Sequence, residues 1–255
     1  MTKIEPVESL AEARALVAYL EQFVTPERSA RMDAVLAERT RYVTVLIEDV
    51  YQPQNASAVV RSCDGFGIQE LHIIESRNRY RVNPQVALGS TQWVDLVRYN
   101  RRRDAANHSA ADMPENGAAA NSLAAVQALR ERGYRIVATT PHREAWTPDS
   151  LPLERGRIAL CFGNELDGLS EPLIEAADEQ LRIPMYGFVE SFNISVAAAV
   201  TMSEILRRLR ESSIQWRLHS NERVAIKLMW LRRQIKGVRQ LEQAFCSERE
   251  ETRRK

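Results

Sequence analysis

Two short apolar runs in the second half of the chain constrain its fold more than any other feature. Residues 158–162 (IALCF) and 181–184 (LRIP) have the length and composition of buried parallel strands. Each enters a loop rich in Gly and polar side chains, residues 163–169 and 185–193, and each loop feeds an apolar helix. Strands alternating with helices in this way specify an α/β architecture with a parallel sheet. In open sheets of that class, ligands bind outside the carboxyl ends of the strands. Two such loops so close in sequence line one cavity, and chemistry is expected there.

The 255 residues are 44% apolar, enough for one sizeable core without disulfides or metal. The three cysteines, Cys63, Cys161 and Cys246, show no CxxC spacing, which argues against zinc and for a reducing compartment. There is no apolar signal core and no run of membrane-spanning length, so a soluble, cytoplasmic protein without a membrane partner is expected. The net charge of +1 hides an asymmetry. From residue 204 onward basic residues outnumber acidic ones two to one, and the remainder is acidic. A basic tail suggests a polyanionic partner; a solvated, Arg-rich helix explains it equally well.

In chain order, residues 6–24 carry helical periodicity, and Thr25-Pro26 opens a second helix running to about Arg39. Residues 43–47 and 71–74 read as strands flanking a helix over 55–63, with Asn55 as its cap. Gly65-Phe66-Gly67 lacks a third glycine and follows a helix instead of opening one, so it is no dinucleotide fingerprint. Residues 101–121, with a Pro114-Glu115-Asn116-Gly117 turn, read as a surface insertion. A helix over 122–132 precedes a strand over 136–139, and Asn193 caps a long apolar helix. Beyond it Val224, Leu228, Leu231, Ile235, Val238 and Phe245 form a near-heptad stripe broken at Gly237, the pattern of a core or a dimer seam.

Three segments carry a family resemblance. Asn55-Ala56-Ser57-Ala58-Val59-Val60-Arg61 resembles the first motif of the SpoU/TrmH branch of the SPOUT superfamily. Phe162-Gly163-Asn164-Glu165-Leu166-Asp167-Gly168-Leu169 resembles the second, and Ile183-Pro184-Met185 through Ser191-Phe192-Asn193-Ile194-Ser195-Val196-Ala197 the third. Three motifs in order are far more specific than any one of them. The resemblance implies an S-adenosylmethionine-dependent 2′-O-ribose methyltransferase acting on RNA. The Thr25-Pro26-Glu27-Arg28 entry helix is similar to members that methylate tRNA, which points to the D-loop guanosine at position 18. The alternatives are the same reaction on ribosomal RNA and a non-catalytic RNA-binding paralogue. The implied fold is an α/β knot, with a parallel sheet and a C-terminal trefoil knot, acting as a homodimer. Residues 1–40 would form an RNA-binding helical extension, 41–210 the methyltransferase domain and 211–255 a basic helical extension.

The resemblance also implies roles. Arg61, Asn55, Glu165, Ser191 and Asn193 form the catalytic set. Thr139, Gly163, Asn164, Glu165, Gly168, Ile183, Met185, Phe192 and Asn193 hold the cofactor; Phe192 stands where many members have Leu. Arg28, Arg31, Arg39 and Arg61 contact RNA, with Arg207, Arg208, Arg210, Arg232, Arg233, Lys236 and Arg239 as further cations in the tail. No metal is expected, because a sulfonium methyl is already activated. The histidines His72, His108, His142 and His219 all lie outside the motifs. A guanidinium stays protonated in proteins. Arg61 therefore either stabilises the developing alkoxide while a phosphate oxygen or water takes the proton, or serves as a base in a dense cationic setting.

Overall fold

The computed structural model describes residues 9–100, 115–140 and 145–254. The chain divides into two compact units, Thr40–Trp216 and a second made of Met1–Arg39 with Arg217–Lys255.

Thr40–Trp216 is built on six parallel strands: β1 Val43–Glu48, β2 Glu70–Ile74, β3 Asp95–Tyr99, β4 Arg135–Thr139, β5 Ile158–Phe162 and β6 Glu179–Leu181. Their spatial order is β3-β2-β1-β5-β4-β6. The central strands are apolar on both sides because both faces of the sheet are covered. Val43, Val45 and Ile47 share one core with α3 (Pro53–Phe66) and α7 (Ile194–Glu211). Leu46 points the other way, into a core with α5 (Glu115–Glu131) and Leu173 of α6 (Glu171–Glu175). A short helix, α4 (Pro84–Ala87), follows β2.

Four expectations change. The helix after β1 starts at Pro53, with Gln52 at the cap position, so Asn55 lies inside its first turn and is not its cap. Pro53 fits the first helical position because its missing N–H has no partner to lose there. The strand expected at 181–184 is Glu179–Leu181, which pairs with β4. Arg182 N then donates to Trp146 O at 2.7 Å, and Pro184 has no N–H with which to continue a ladder. Residues 115–121 of the expected insertion belong to α5, so there is no turn at 115–117; residues 101–114 lie outside the described part, as does His142. β3 adds a strand to those expected. It is a half-exposed edge strand, and its pattern is correspondingly weak.

The second unit joins the two ends of the chain. It holds α1 (Leu10–Leu20), capped by Ser9, and α2 (Pro26–Ala37), capped by Thr25, whose Oγ1 accepts from Arg28 N at 3.2 Å. With them are α8 (Ser220–Gln234) and α9 (Val238–Arg254), separated where Gly237 takes φ 72°. The apolar stripe of α8 is buried at Ile226, Leu228, Trp230 and Leu231. Lys227 is buried beside it, held by Glu21 and by Asp33 at 2.6 Å. Among the described residues no helix is long and apolar enough to cross a membrane.

Candidate active site

The site stands at the carboxyl ends of β4, β5 and β6 and is shaped by the two loops that follow β5 and β6. The first, residues 163–169, is braced from within. Asn164 N donates to Gly168 O at 3.0 Å, and Gly168 N returns a bond to Asn164 O at 3.2 Å. Asn164 Oδ1 accepts from Leu166 N at 2.9 Å and Asp167 N at 2.7 Å, closing a side-chain turn. This folding-back explains both glycines. A Cβ on Gly163 would stand 1.9 Å from the Gly168 carbonyl carbon, and Gly168 itself needs φ 71°. The first constraint is therefore self-packing of the loop.

Glu48, at the end of β1, fixes the far side of that loop. Its Oε2 accepts from Ser170 N at 2.7 Å, and its Oε1 accepts from the hydroxyls of Ser170, at 2.7 Å, and Ser122. Thr139 is tied down too, donating through Oγ1 to Cys161 O at 2.8 Å. The second loop ends at Asn193, whose Oδ1 caps α7 by accepting from Ser195 N at 2.9 Å.

A relay of amides links three motifs. Asn193 Nδ2 donates to Asn55 Oδ1 at 3.2 Å, and Asn55 Nδ2 donates to Glu165 Oε1 at 2.5 Å. Glu165 Oε2 accepts from Tyr51 N at 3.1 Å, on the loop between β1 and α3. Because Asn55 is not spent on capping, both ends of its amide serve this relay. Asn55 is buried and Glu165 half-buried.

Thr139, Gly163, Asn164, Glu165, Gly168, Ile183, Met185, Ser191 and Phe192 line one cavity of about 360 Å³, within the range of small-molecule sites. Asn193 and Asn55 reach its edge through Glu165. Asp167 and Glu190 also line it, and with Glu165 they make every ionisable lining residue among the described residues acidic. Sequence patterns single out neither, because a lone carboxylate in a loop carries no spacing signal. Tyr51 acts through its backbone N–H, which no side-chain pattern could reveal.

Arg61 is not among the lining residues. It lies six residues along α3 from Asn55, roughly 9 Å along the axis. Its side chain is exposed, without a hydrogen bond or ion pair among the described residues. Arg28 and Arg31 are exposed on α2, and Arg28 Nη2 donates to Gln234 Oε1 at 2.7 Å. Arg39 corrects an expectation: it is 1% exposed, its guanidinium 5.5 Å from the centre of the Trp230 ring, so it builds the core of the terminal unit instead of meeting RNA. Several tail cations are likewise committed. Arg207 pairs with Glu204 and Glu211, Arg208 and Arg210 donate to backbone carbonyls, and Arg232 pairs with Glu242.

Comparison with known proteins follows the same lines. The model of the SpoU rRNA Methylase family matches residues 42–114 and 103–203. A tRNA (guanosine(18)-2′-O)-methyltransferase from Borreliella burgdorferi is 37% identical, over 91% of this chain and 96% of that protein. One of the same name from Thermus thermophilus is 31% identical, over 82% of this chain and 98% of that protein. The crystal structure of the A. aeolicus TrmH/SpoU tRNA modifying enzyme superposes with a TM-score of 0.67 at 26% identity, over 85% of this chain and 99% of that one.

Proposed function

The chain belongs to the SpoU rRNA Methylase family, and on that premise we propose that it transfers a methyl group from S-adenosylmethionine to the ribose 2′-hydroxyl of guanosine 18 in tRNA. The observation that carries the reading is the sign of the cavity. Glu165, Asp167 and Glu190 line it, and no Lys, Arg or His among the described residues does. S-adenosylmethionine bears a sulfonium and an ammonium against one carboxylate, so an acidic wall attracts it and repels a phosphate. Ile183, Met185 and Phe192 offer apolar surface for its adenine. When bound, it supplies a methyl group already activated toward an oxygen nucleophile.

The chain's part is positioning and charge. The Asn193–Asn55–Glu165 relay holds both loops and the start of α3 in one register. Ser191 lines the cavity and brings a hydroxyl that can donate to the incoming ribose. Arg61, outside the wall, is assigned to the substrate phosphate and the developing alkoxide. tRNA is favoured over ribosomal RNA because two guanosine-18 relatives, from Borreliella burgdorferi and Thermus thermophilus, align over 96% and 98% of their length.

Homodimerisation belongs to the same reading. Tyr186, Phe188 and Val189 of the second loop and Val196 and Val200 on one face of α7 are exposed, an apolar surface suited to a second copy. The trefoil knot and a cytoplasmic setting are inferred from family membership. The terminal helices are inferred to contact RNA through Arg28 and Arg31, both exposed.

The test is incubation with methyl-labelled S-adenosylmethionine and, in parallel, an unmodified tRNA transcript, the same transcript with adenosine at position 18, and ribosomal RNA. Label in the first alone, mapped to the 2′-oxygen of residue 18, is expected. Label in ribosomal RNA alone would reassign the substrate, and label in none would leave a binding protein.

A further inference from the structure

An acidic cavity cannot hold the phosphates of its RNA substrate, and one loop beside it carries the missing charge. The segment between β2 and α4 reads Glu75-Ser76-Arg77-Asn78-Arg79-Tyr80-Arg81-Val82-Asn83. Arg77, Arg79 and Arg81 are exposed, whereas Asn78 between them is half-buried and Tyr80 buried.

The loop is braced along its length. Asp49 takes φ 48°, which is costly for a residue with a side chain. Its Oδ1 accepts from the N–H groups of Ser76 at 2.7 Å, Arg77 at 2.8 Å and Asn78 at 3.2 Å. Asn78 Nδ2 donates back to Asp49 O at 2.7 Å, and Glu75 Oε1 accepts from Tyr80 N at 2.8 Å. At one end Arg77 Nη1 lies 3.5 Å from Asp167 Oδ2, on the cavity wall. At the other, Asn83 N donates to Ser57 Oγ at 2.9 Å, one helical turn before Arg61. The strip therefore runs from the rim of the cavity to the helix that carries Arg61. Arg79 and Arg81 have no hydrogen bond or ion pair among the described residues.

We propose that Arg79 and Arg81 grip the RNA phosphates that flank the methylated ribose. The inference rests on the methyltransferase reading and adds the binding surface to it. Acidic wall and cationic strip divide the substrate between them: phosphates held outside leave the ribose as the part turned toward the cavity. The rigid main chain reduces the ordering cost of that grip, and arginine's fork suits phosphate oxygens.

The experiment measures binding of an unmodified tRNA transcript to the full chain across a salt series. The double variant Arg79→Ala/Arg81→Ala is expected to bind at least tenfold more weakly near 0.1 M salt. Its log–log salt slope should be shallower by roughly 1.4–1.8, the value for two phosphates no longer neutralised. Affinity for S-adenosylmethionine should be unchanged, and Arg79→Lys/Arg81→Lys should recover most of the slope. An unaltered slope overturns the proposal. Equal loss of S-adenosylmethionine binding also overturns it, since the loop would then be structural. A wild-type chain that binds tRNA yet leaves guanosine 18 unmethylated rejects the activity instead, while the variant comparison still reads the strip.

Discussion

Single residues in the first site loop do separable jobs, and substitution can tell them apart. Gly163→Ala pushes a Cβ to within 1.9 Å of backbone that cannot swing aside, so the loop itself must move. The expected cost is about 1–3 kcal/mol of stability, together with most of the affinity for S-adenosylmethionine. Gly168→Ala meets open space and strains only φ, a cost of about 1 kcal/mol. Thermal melts and calorimetric titration of the two variants check the order; Gly168→Ala as the worse of the pair would refute it. Arg61 poses the opposite case. It has no hydrogen bond or ion pair among the described residues and stands outside the cavity wall. Arg61→Ala is therefore expected to abolish turnover on tRNA while leaving fold and S-adenosylmethionine affinity intact. Loss of cofactor binding would mean that Arg61 is structural. The motif made Arg61 easy to pick out in the sequence, but not its distance from the cavity, because helical phase alone does not say how far a side chain stands from a loop a hundred residues later.

At the scale of elements, α7 shows how one side chain couples folding to the site. Asn193 caps the helix through Oδ1 and donates to Asn55 through Nδ2. Asn193→Asp keeps an oxygen to cap with but replaces the amide donor, and it sets a carboxylate facing Asn55 Oδ1. Stability should stay within about 0.5 kcal/mol, since Asp and Asn cap equally well, while the methylation rate falls at least tenfold. Asn193→Ala loses both functions and about 1 kcal/mol of stability. Equal melting temperatures for the two variants, or a wild-type methylation rate for Asn193→Asp, would dissolve the distinction. The sequence showed this cap plainly, because Asn193 precedes an apolar run of helical period. It misled at Asn55, where Pro53 two residues earlier was the better start signal. Strands covered on both faces were legible as apolar runs: β5 came out residue for residue and β1 and β4 to within one position. The edge strand β3 was not, since half-exposed Asp95-Leu96-Val97-Arg98-Tyr99 mixes charge with apolar residues. Arg39 was illegible for a different reason: its partner Trp230 lies on another helix far along the chain.

Across the sheet unit, charge is sorted by the two ends of the sheet. The carboxyl end holds the acidic cavity and its arginine strip. The amino end holds a compact polar network centred on Glu70, at the start of β2. Arg132 donates to both Glu70 oxygens, and His72 Nε2 lies 2.7 Å from Oε1. His72 Nδ1 meets the Tyr99 hydroxyl at 2.9 Å, joining β2 to β3. Burial alone would raise the pKa of Glu70, but the hydrogen bonds from His72 and Arg132 outweigh it and bring it down to about 2. Burial pushes Tyr99 up to about 12, reinforced by the Glu70 charge. A carboxylate whose folded pKa lies below its ordinary value of 4.5 contributes stability that is complete above 4.5. That stability disappears as pH falls toward 2, because protonated Glu70 can no longer accept from both partners. The shift is worth about 3 kcal/mol at neutral pH. Glu70→Gln should therefore lower stability near pH 7 by a similar amount and flatten the dependence between pH 4.5 and 2. Denaturant unfolding at a series of pH values measures both effects. The methylation rate at a temperature where both proteins stay folded should be nearly unchanged, since Glu70, the first residue of β2, lies at the opposite end of its strand from the cavity. A variant that kept the wild-type acid limb would place the loss of stability in other carboxylates.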